Sequence, residues 1–128
     1  MKSFLLTSLL IVAVGFNSFA TNNQFNQETS TVEINVPGLS TLCKLIQLGD
    51  IDGVKNLINN GTNINKKSKG MTPLMFAARQ NKVEIVKLLL SRSANLKIKS
   101  NQGMTALDYA KRSKATESYD LIDAAMKA

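Results

Sequence analysis

Cys43 is the chain's single cysteine, and two close carboxylate pairs, Asp50 with Asp52 and Asp120 with Asp123, are the other groups whose spacing invites a chemical reading. A cysteine nucleophile needs a neighbouring base, and the chain contains no histidine to serve as one. The same absence removes the commonest metal ligand. Neither carboxylate pair has the additional oxygen ligands that a metal site would need. Cys43, flanked by Leu42, Leu45 and Ile46, therefore reads as a small buried hydrophobe. The carboxylates read as solubilising charges near helix ends. No metal and no cofactor is expected. A small thiol- or carboxylate-dependent enzyme is the alternative, and Cys43→Ala would remove its best candidate.

What remains is a chain built to fold and bind. Its 128 residues suffice for one small domain, and a composition of 44% hydrophobic and 20% charged residues is ordinary for a globular protein. One cysteine cannot form an internal disulfide, so packing must hold the fold together. The net charge of +7 favours acidic partners: nucleic acid, anionic headgroups or acidic proteins. Charge alone does not select among them.

The first 20 residues, MKSFLLTSLLIVAVGFNSFA, read as an export signal. Lys2 begins them, an apolar run follows from Phe4 to Phe16, and small residues stand at Ser18 and Ala20. That pattern predicts cleavage between Ala20 and Thr21. The competing reading is an uncleaved anchor, for which the apolar run is short; only then would the membrane be a partner. Loss of Lys2 takes the side-chain balance from +7 to +6. The expected location is periplasmic or secreted, and richness in Asn and Lys gives the chain a bacterial style.

Residues 21–37 form a predicted disordered linker or short N-terminal extension. Thr21 to Ser30 is too polar to offset the entropy of ordering. Val32, Ile34 and Val36 alternate with Glu33 and Asn35, the period of a short strand, before Pro37-Gly38 stops it. This stretch is a candidate N-terminal cover for the folded domain.

From residue 38 to 128 the chain repeats itself. Thr72-Pro73-Leu74 is followed 33 residues later by Thr105-Ala106-Leu107, and preceded at an offset of 32 by Ser40-Thr41-Leu42. The shorter offset also pairs Val54 with Val86, Leu57 with Leu89 and Asn63 with Asn95. Within the unit, Thr72 can cap a first helix and Pro73 suits its first turn. Ala77 and Ala78 permit close helix approach. Val83, Val86, Leu89 and Leu90 are spaced to line one face of a second helix.

A 33-residue period opened by T-P-L resembles the ankyrin repeat. The resemblance runs from about Leu39 to Met126 and is strongest over residues 72–104, through Ala77-Ala78, Glu84 to Leu90, and Ala94-Asn95-Leu96. It implies an all-α solenoid of about three helix-pair repeats with short β-turn fingers, the repeats falling at about 40–70, 71–103 and 104–128. The sequence departs from the family at the position after T-P-L, where a histidine is usual. Cys43, Met75 and Asp108 stand there, so that histidine's hydrogen bonds are expected to be missing. Ser93 stands where Gly61 closes the previous repeat, at a cost of up to about 1 kcal/mol. Thr116 and Ser118 replace Val83 and Ile85, which predicts a polar outer face for a capping repeat.

The resemblance also implies a function: a non-catalytic protein–protein interaction module that binds on its concave face, here outside the cytoplasm. The family's variable positions fall on Lys69 and Met71 in the first finger, and on Asn101, Gln102 and Met104 in the second. The first helices contribute Gln47 and Leu48, Arg79 and Gln80, then Arg112 and Ser113. Met71 and Met104 are expected to be exposed and to offer adaptable apolar contact. Lys66, Lys67, Lys69, Lys97 and Lys99 make the fingers basic, either for an acidic patch on the partner or as a solvated edge. The expected partner is another protein, with no nucleic acid, because interleaved aromatics are absent, and no small-molecule substrate. A secreted effector acting on a host protein shares this fold and differs in destination.

Overall fold

A computed structural model describes residues 37–128. The expected signal segment and the alternating stretch through Val36 lie outside them. The described residues form six helices: α1 (Thr41–Leu48), α2 (Ile51–Asn59), α3 (Pro73–Arg79), α4 (Val83–Ser91), α5 (Ala106–Arg112) and α6 (Thr116–Lys127). Each odd-numbered helix packs on the even-numbered helix after it. Then like stacks on like, α1 on α3 on α5 and α2 on α4 on α6, giving two layers. This is the expected all-α three-repeat stack.

Caps set where each repeat begins. The hydroxyls of Ser40, Thr72 and Thr105 accept hydrogen bonds from the backbone N–H groups of Cys43, Met75 and Asp108, at 3.3, 3.3 and 3.2 Å. Each satisfies a donor that the first helical turn would otherwise strand. The residues standing at the histidine's position make bonds of their own. Met75 Sδ accepts from the Thr72 N–H at 3.3 Å, and the Asp108 carboxylate accepts from the Thr105 N–H at 2.9 Å. Both repeats thus carry reciprocal capping boxes. In the first repeat, Ser68 reaches across instead, its hydroxyl accepting from the Ser40 N–H at 2.8 Å.

Between the layers lies one continuous core. Ile46, Leu74, Met75, Ile85, Leu89 and Ile122 are its largest fully enclosed side chains, with Cys43, Ala77, Ala78 and Ala110 letting the inner helices close up. The face of α4 is set by Ile85, Val86 and Leu89, while Val83 and Leu90 are only half-buried. Ile85 thus takes the role that the sequence pattern assigned to its neighbours.

Ser118 overturns a second expectation. It is fully buried and does not belong to a polar outer face. Its hydroxyl donates to Asn81 Oδ1 at 2.8 Å, so the polar side chain is satisfied where an isoleucine packs one repeat earlier.

The fingers differ in length, and their turns follow from it. In the first, Ser68 and Met71 exchange backbone hydrogen bonds of 2.8 and 3.2 Å across Lys69 and Gly70. Both turn residues have positive φ, 52° and 79°, the geometry of a two-residue type I′ turn. The second finger holds one residue more. The Ser100 N–H donates to the Met104 carbonyl at 2.8 Å, and Asn101, Gln102 and Gly103 make the loop. Gly103 alone among these three takes positive φ, 83°.

Candidate functional site

The two fingers and the first helices enclose a groove of about 360 Å³. Its floor is α3, where Phe76 is buried and Arg79 ends the helix in solvent. Leu39, Met71 and Tyr109 border it with the edges of largely buried side chains. Gln47, Asn101 and Gln102 bring amides, and Lys69 stands on the tip of the first finger.

Six of the eleven residues predicted from sequence meet here: Gln47, Lys69, Met71, Arg79, Asn101 and Gln102. Met104 and Arg112 lie one repeat on and do not line the groove, nor do Leu48 and the C-cap residues Gln80 of α3 and Ser113 of α5. A larger hollow of about 680 Å³ borders the start of the described residues and holds only Lys69 of that set.

One expectation fails. Met71 is 8% exposed and belongs to the core cluster, and Met104 is half-buried. Each sulfur braces an arginine instead. Arg79 Nη1 lies 3.8 Å from Met71 Sδ, and Arg112 Nη1 lies 3.5 Å from Met104 Sδ. Thioether sulfur is a weak acceptor, so these contacts orient the guanidinium without neutralising it. Arg79 also lies over the Phe76 ring, 5.7 Å from its centroid, within the range of a cation–π attraction.

The arrangement is periodic. Leu39, Met71 and Met104 occupy one repeat position, and Gln47, Arg79 and Arg112 the position eight residues later. Along the stack this position therefore passes from a neutral amide, Gln47, to two guanidinium groups, of which Arg79 lines the groove.

Sequence reasoning missed Phe76, Tyr109 and the two finger serines. Tyr109 is buried, and its hydroxyl lies 2.9 Å from Gln102 Oε1 and 3.0 Å from Ser100 Oγ. Ser100 Oγ in turn accepts from the N–H groups of Gln102 and Met104, each at 3.2 Å. The second finger is thereby fixed to α5. The fingers are also tied to one another: the Asn101 N–H donates to the Gly70 carbonyl at 3.0 Å, and the Asn95 N–H to Asn65 Oδ1 at 2.9 Å. The signal for the serines was present in the matching Lys67-Ser68 and Lys99-Ser100, 32 residues apart.

Charge is sorted between the layers. Helices α1, α3, α5 and the fingers carry Lys44, three finger lysines at 66, 67 and 69, Arg79, Lys97, Lys99, Lys111 and Arg112, against Asp108 as their one carboxylate. The outer helices carry Asp52, Glu84, Glu117, Asp120 and Asp123 against three lysines. Among the described residues, ion pairs form only on the outer side, Lys87 with Glu84 at 3.2 Å and Lys127 with Asp123 at 2.8 Å. Asp108 is itself engaged. Its hydrogen bonds from the Thr105 N–H and hydroxyl hold its carboxyl below the ordinary carboxylate range.

The groups first considered for chemistry stand apart from the groove. Cys43 is fully buried, and burial pushes its thiol up despite the Ser40 and Ser68 hydroxyls nearby. Asp50 caps α2, accepting from the Gly53 N–H at 2.9 Å. Among the described residues there is no cluster of three or more potential metal ligands, and no helix is long and apolar enough to cross a membrane.

Comparison with known proteins agrees with the periodicity. A solved chain from the complex of the predatory endopeptidase Bd0816 of Bdellovibrio bacteriovorus with the immunity protein Bd3460 is 38% identical, with a TM-score of 0.63 over 68% of this chain and 47% of that one. A putative ankyrin repeat protein of Rickettsia bellii is 30% identical over 91 residues, 67% of this chain and 13% of its own length. Human ankyrin repeat and SOCS box protein 11 is 43% identical over 60 residues, 47% of this chain and 19% of its own. The chain thus spans a fifth or less of the length of these two curated relatives. A family model described as ankyrin repeats (3 copies) matches residues 42–124. With that match covering most of its length, the chain belongs to the ankyrin repeat family.

Proposed function

We propose that this protein is a non-catalytic binding module acting outside the cytoplasm, which holds a partner protein against its fingers and first helices. The observation that carries the reading is the groove between the fingers, where an apolar lining meets a braced but uncompensated arginine and a set of amides. That mixture of aromatic, methionine and arginine surface is typical of protein interface cores. The sorting of positive charge onto this side favours a partner with an acidic patch. Export rests on the apolar, basic-started segment that ends at Ala20.

A second reading narrows the partner. The likeness to a chain from a peptidase–immunity complex favours an exported peptidase as the protein that is held. An effector directed at a host protein would use the same surface.

The test is affinity capture from envelope and secreted fractions, comparing wild type with an Arg79→Glu, Arg112→Glu double variant. Both side chains are exposed, so circular dichroism should show the variant folded. A protein retained by wild type and lost by the variant supports the reading; equal retention removes the groove from it. Sequencing the N-terminus of the cell-derived protein checks export: a start at Thr21 supports it, and a start at Met1 in a soluble fraction sinks it.

A further inference from the structure

We infer that the groove is a receptor for a carboxylate: an Asp or Glu on a partner loop, beside an aliphatic or aromatic residue, with Arg79 as its anchor and Arg112 as a second contact one repeat away. The inference rests on the protein-binding reading above and names what that partner must present.

Arg79 is held in place before any partner arrives. Met71 Sδ touches one guanidinium nitrogen and the Phe76 ring lies against the group. Among the described residues no carboxylate comes within ion-pair distance of it. The Met71 contact occupies one of the five N–H donors, and the rest remain for a ligand. A planar guanidinium oriented in this way matches the two oxygens of a carboxylate.

The surroundings decide between kinds of anion. A polyanion such as a nucleic-acid backbone or a headgroup layer is bound by several converging cations. Here the groove itself holds one guanidinium, with Lys69 at the rim, and its remaining walls are Leu39, Met71, Phe76 and Tyr109 with the amides of Gln47, Asn101 and Gln102. The amides can pair with a peptide backbone beside a single charge, and the edges of the four apolar side chains, each more than nine-tenths buried, leave room for one small apolar contact next to it. The second finger is rigid enough to serve as a wall, because the Tyr109 hydroxyl and Ser100 fasten it to α5. The repeat geometry extends the pattern, since Met104 braces Arg112 as Met71 braces Arg79.

The experiment selects a displayed library of disulfide-closed random peptides on the full chain at about physiological ionic strength, where weak nonspecific charge effects are screened. Enriched peptides are synthesised, and their affinities measured by fluorescence anisotropy for wild type, Arg79→Gln, Arg79→Lys and the outer-face control Lys87→Gln. The expected peptides carry Asp or Glu next to Leu, Ile, Phe or Tyr. Changing that acid to its amide weakens binding to wild type by about tenfold or more, and binding to Arg79→Gln hardly at all. Arg79→Lys restores only part, and Lys87→Gln changes nothing. Peptides without an acid, equal losses on both backgrounds, or no enrichment above an Arg79→Gln surface overturn the inference. Binding to phosphatidylglycerol vesicles that competes with the peptides and is lost in Arg79→Gln overturns it too, in favour of a headgroup. If a protein partner is captured but Arg79→Gln leaves that capture unchanged, this inference falls while the binding-module reading stands.

Discussion

The Asn81 side chain caps a helix that belongs to the next repeat: its Oδ1 accepts from the Ser118 backbone N–H at 3.2 Å and from the Ser118 hydroxyl at 2.8 Å. Its amide nitrogen donates to Glu117 Oε1 at 3.1 Å. The N-cap of helix α6 is Ala115, which has no side chain able to cap it, so the second repeat supplies what the third lacks. Asn81 also holds φ at 54°, a conformation asparagine tolerates better than most residues. Asn81→Gly keeps that backbone and loses the cap, which should cost about 1–2 kcal/mol in urea denaturation. Asn81→Ala should cost about 1 kcal/mol more, through left-handed strain. Adding Ser118→Ala to Asn81→Gly should recover part of the loss by removing the stranded hydroxyl. Strictly additive single and double variants would contradict this account.

Met71 and Met104 occupy equivalent positions but unequal surroundings. A charge at Met71 would be forced into the core, so Met71→Glu should destabilise by about 2–4 kcal/mol. Met104→Glu should stay within about 1 kcal/mol. Thermal melts of the two variants decide the matter, and similar losses would mean that the two sites are equally enclosed.

Besides Lys69 and Asn81, two turns carry a side chain where the backbone is left-handed: Ser93 at φ 62° and Lys114 at φ 58°. Ser93→Gly and Lys114→Gly should each raise stability by about 0.5–1 kcal/mol. Neither side chain makes a hydrogen bond within the described residues that the change would forfeit. A fall in urea midpoint for either would show that the side chain packs to more effect than its exposure indicates.

Asp108 gives the protein an acid sensitivity of definite sign. Its carboxyl is held below the ordinary range in the folded chain, chiefly by the Thr105 N–H. Its contribution is therefore full above the unfolded value of about 4 and declines as pH falls through the folded one. The group is largely solvent-exposed, so solvent screening keeps its share small. Asp108→Asn should lower stability at neutral pH by up to about 1 kcal/mol, a typical capping loss, and reduce the fall between neutral pH and pH 3. A fall as steep in the variant would assign the acid sensitivity to other carboxylates.

Cys43 should behave as a core residue. It is fully enclosed and burial raises its thiol, so iodoacetamide should modify it only when the stack opens. Labelling should be slower than for a free cysteine by roughly 100-fold or more, the factor imposed by an opening free energy of about 3 kcal/mol. Rapid labelling of the folded protein would show an accessible thiol and revive the case for reactivity.

The repeat architecture was legible because its causes are local and periodic. Capping hydroxyls at Ser40, Thr72 and Thr105, the proline at 73 and the small pair Ala77-Ala78 each act within one helix turn or one helix contact. The failures share a different cause. Asn81 with Ser118, and Ser68 with Ser40, are polar side chains separated by 37 and 28 residues, and no local pattern reveals such partners. Ser118 looked like surface because serine usually is, yet one acceptor on the neighbouring repeat lets it be buried. Met71 looked like contact surface because its position is variable in the family. In this stack, Arg79 above it and the finger beside it enclose the sulfur. At the groove, Arg79 and the amides were identifiable by register, whereas the aromatic floor and wall, Phe76 and Tyr109, were hidden among residues expected to serve the core.

The sorting of charge between the layers has a consequence before any contact is made. With cations gathered on the fingers and inner helices and carboxylates on the outer ones, the repeat stack is an electric dipole. In the field of a negatively charged body such a molecule experiences a torque that turns its groove toward the source while the two are still apart. The range of that torque is about one Debye length, near 8 Å at physiological salt and about 30 Å at 0.01 M. Lowering the salt would therefore raise the fraction of productive encounters without altering a single contact in the final complex.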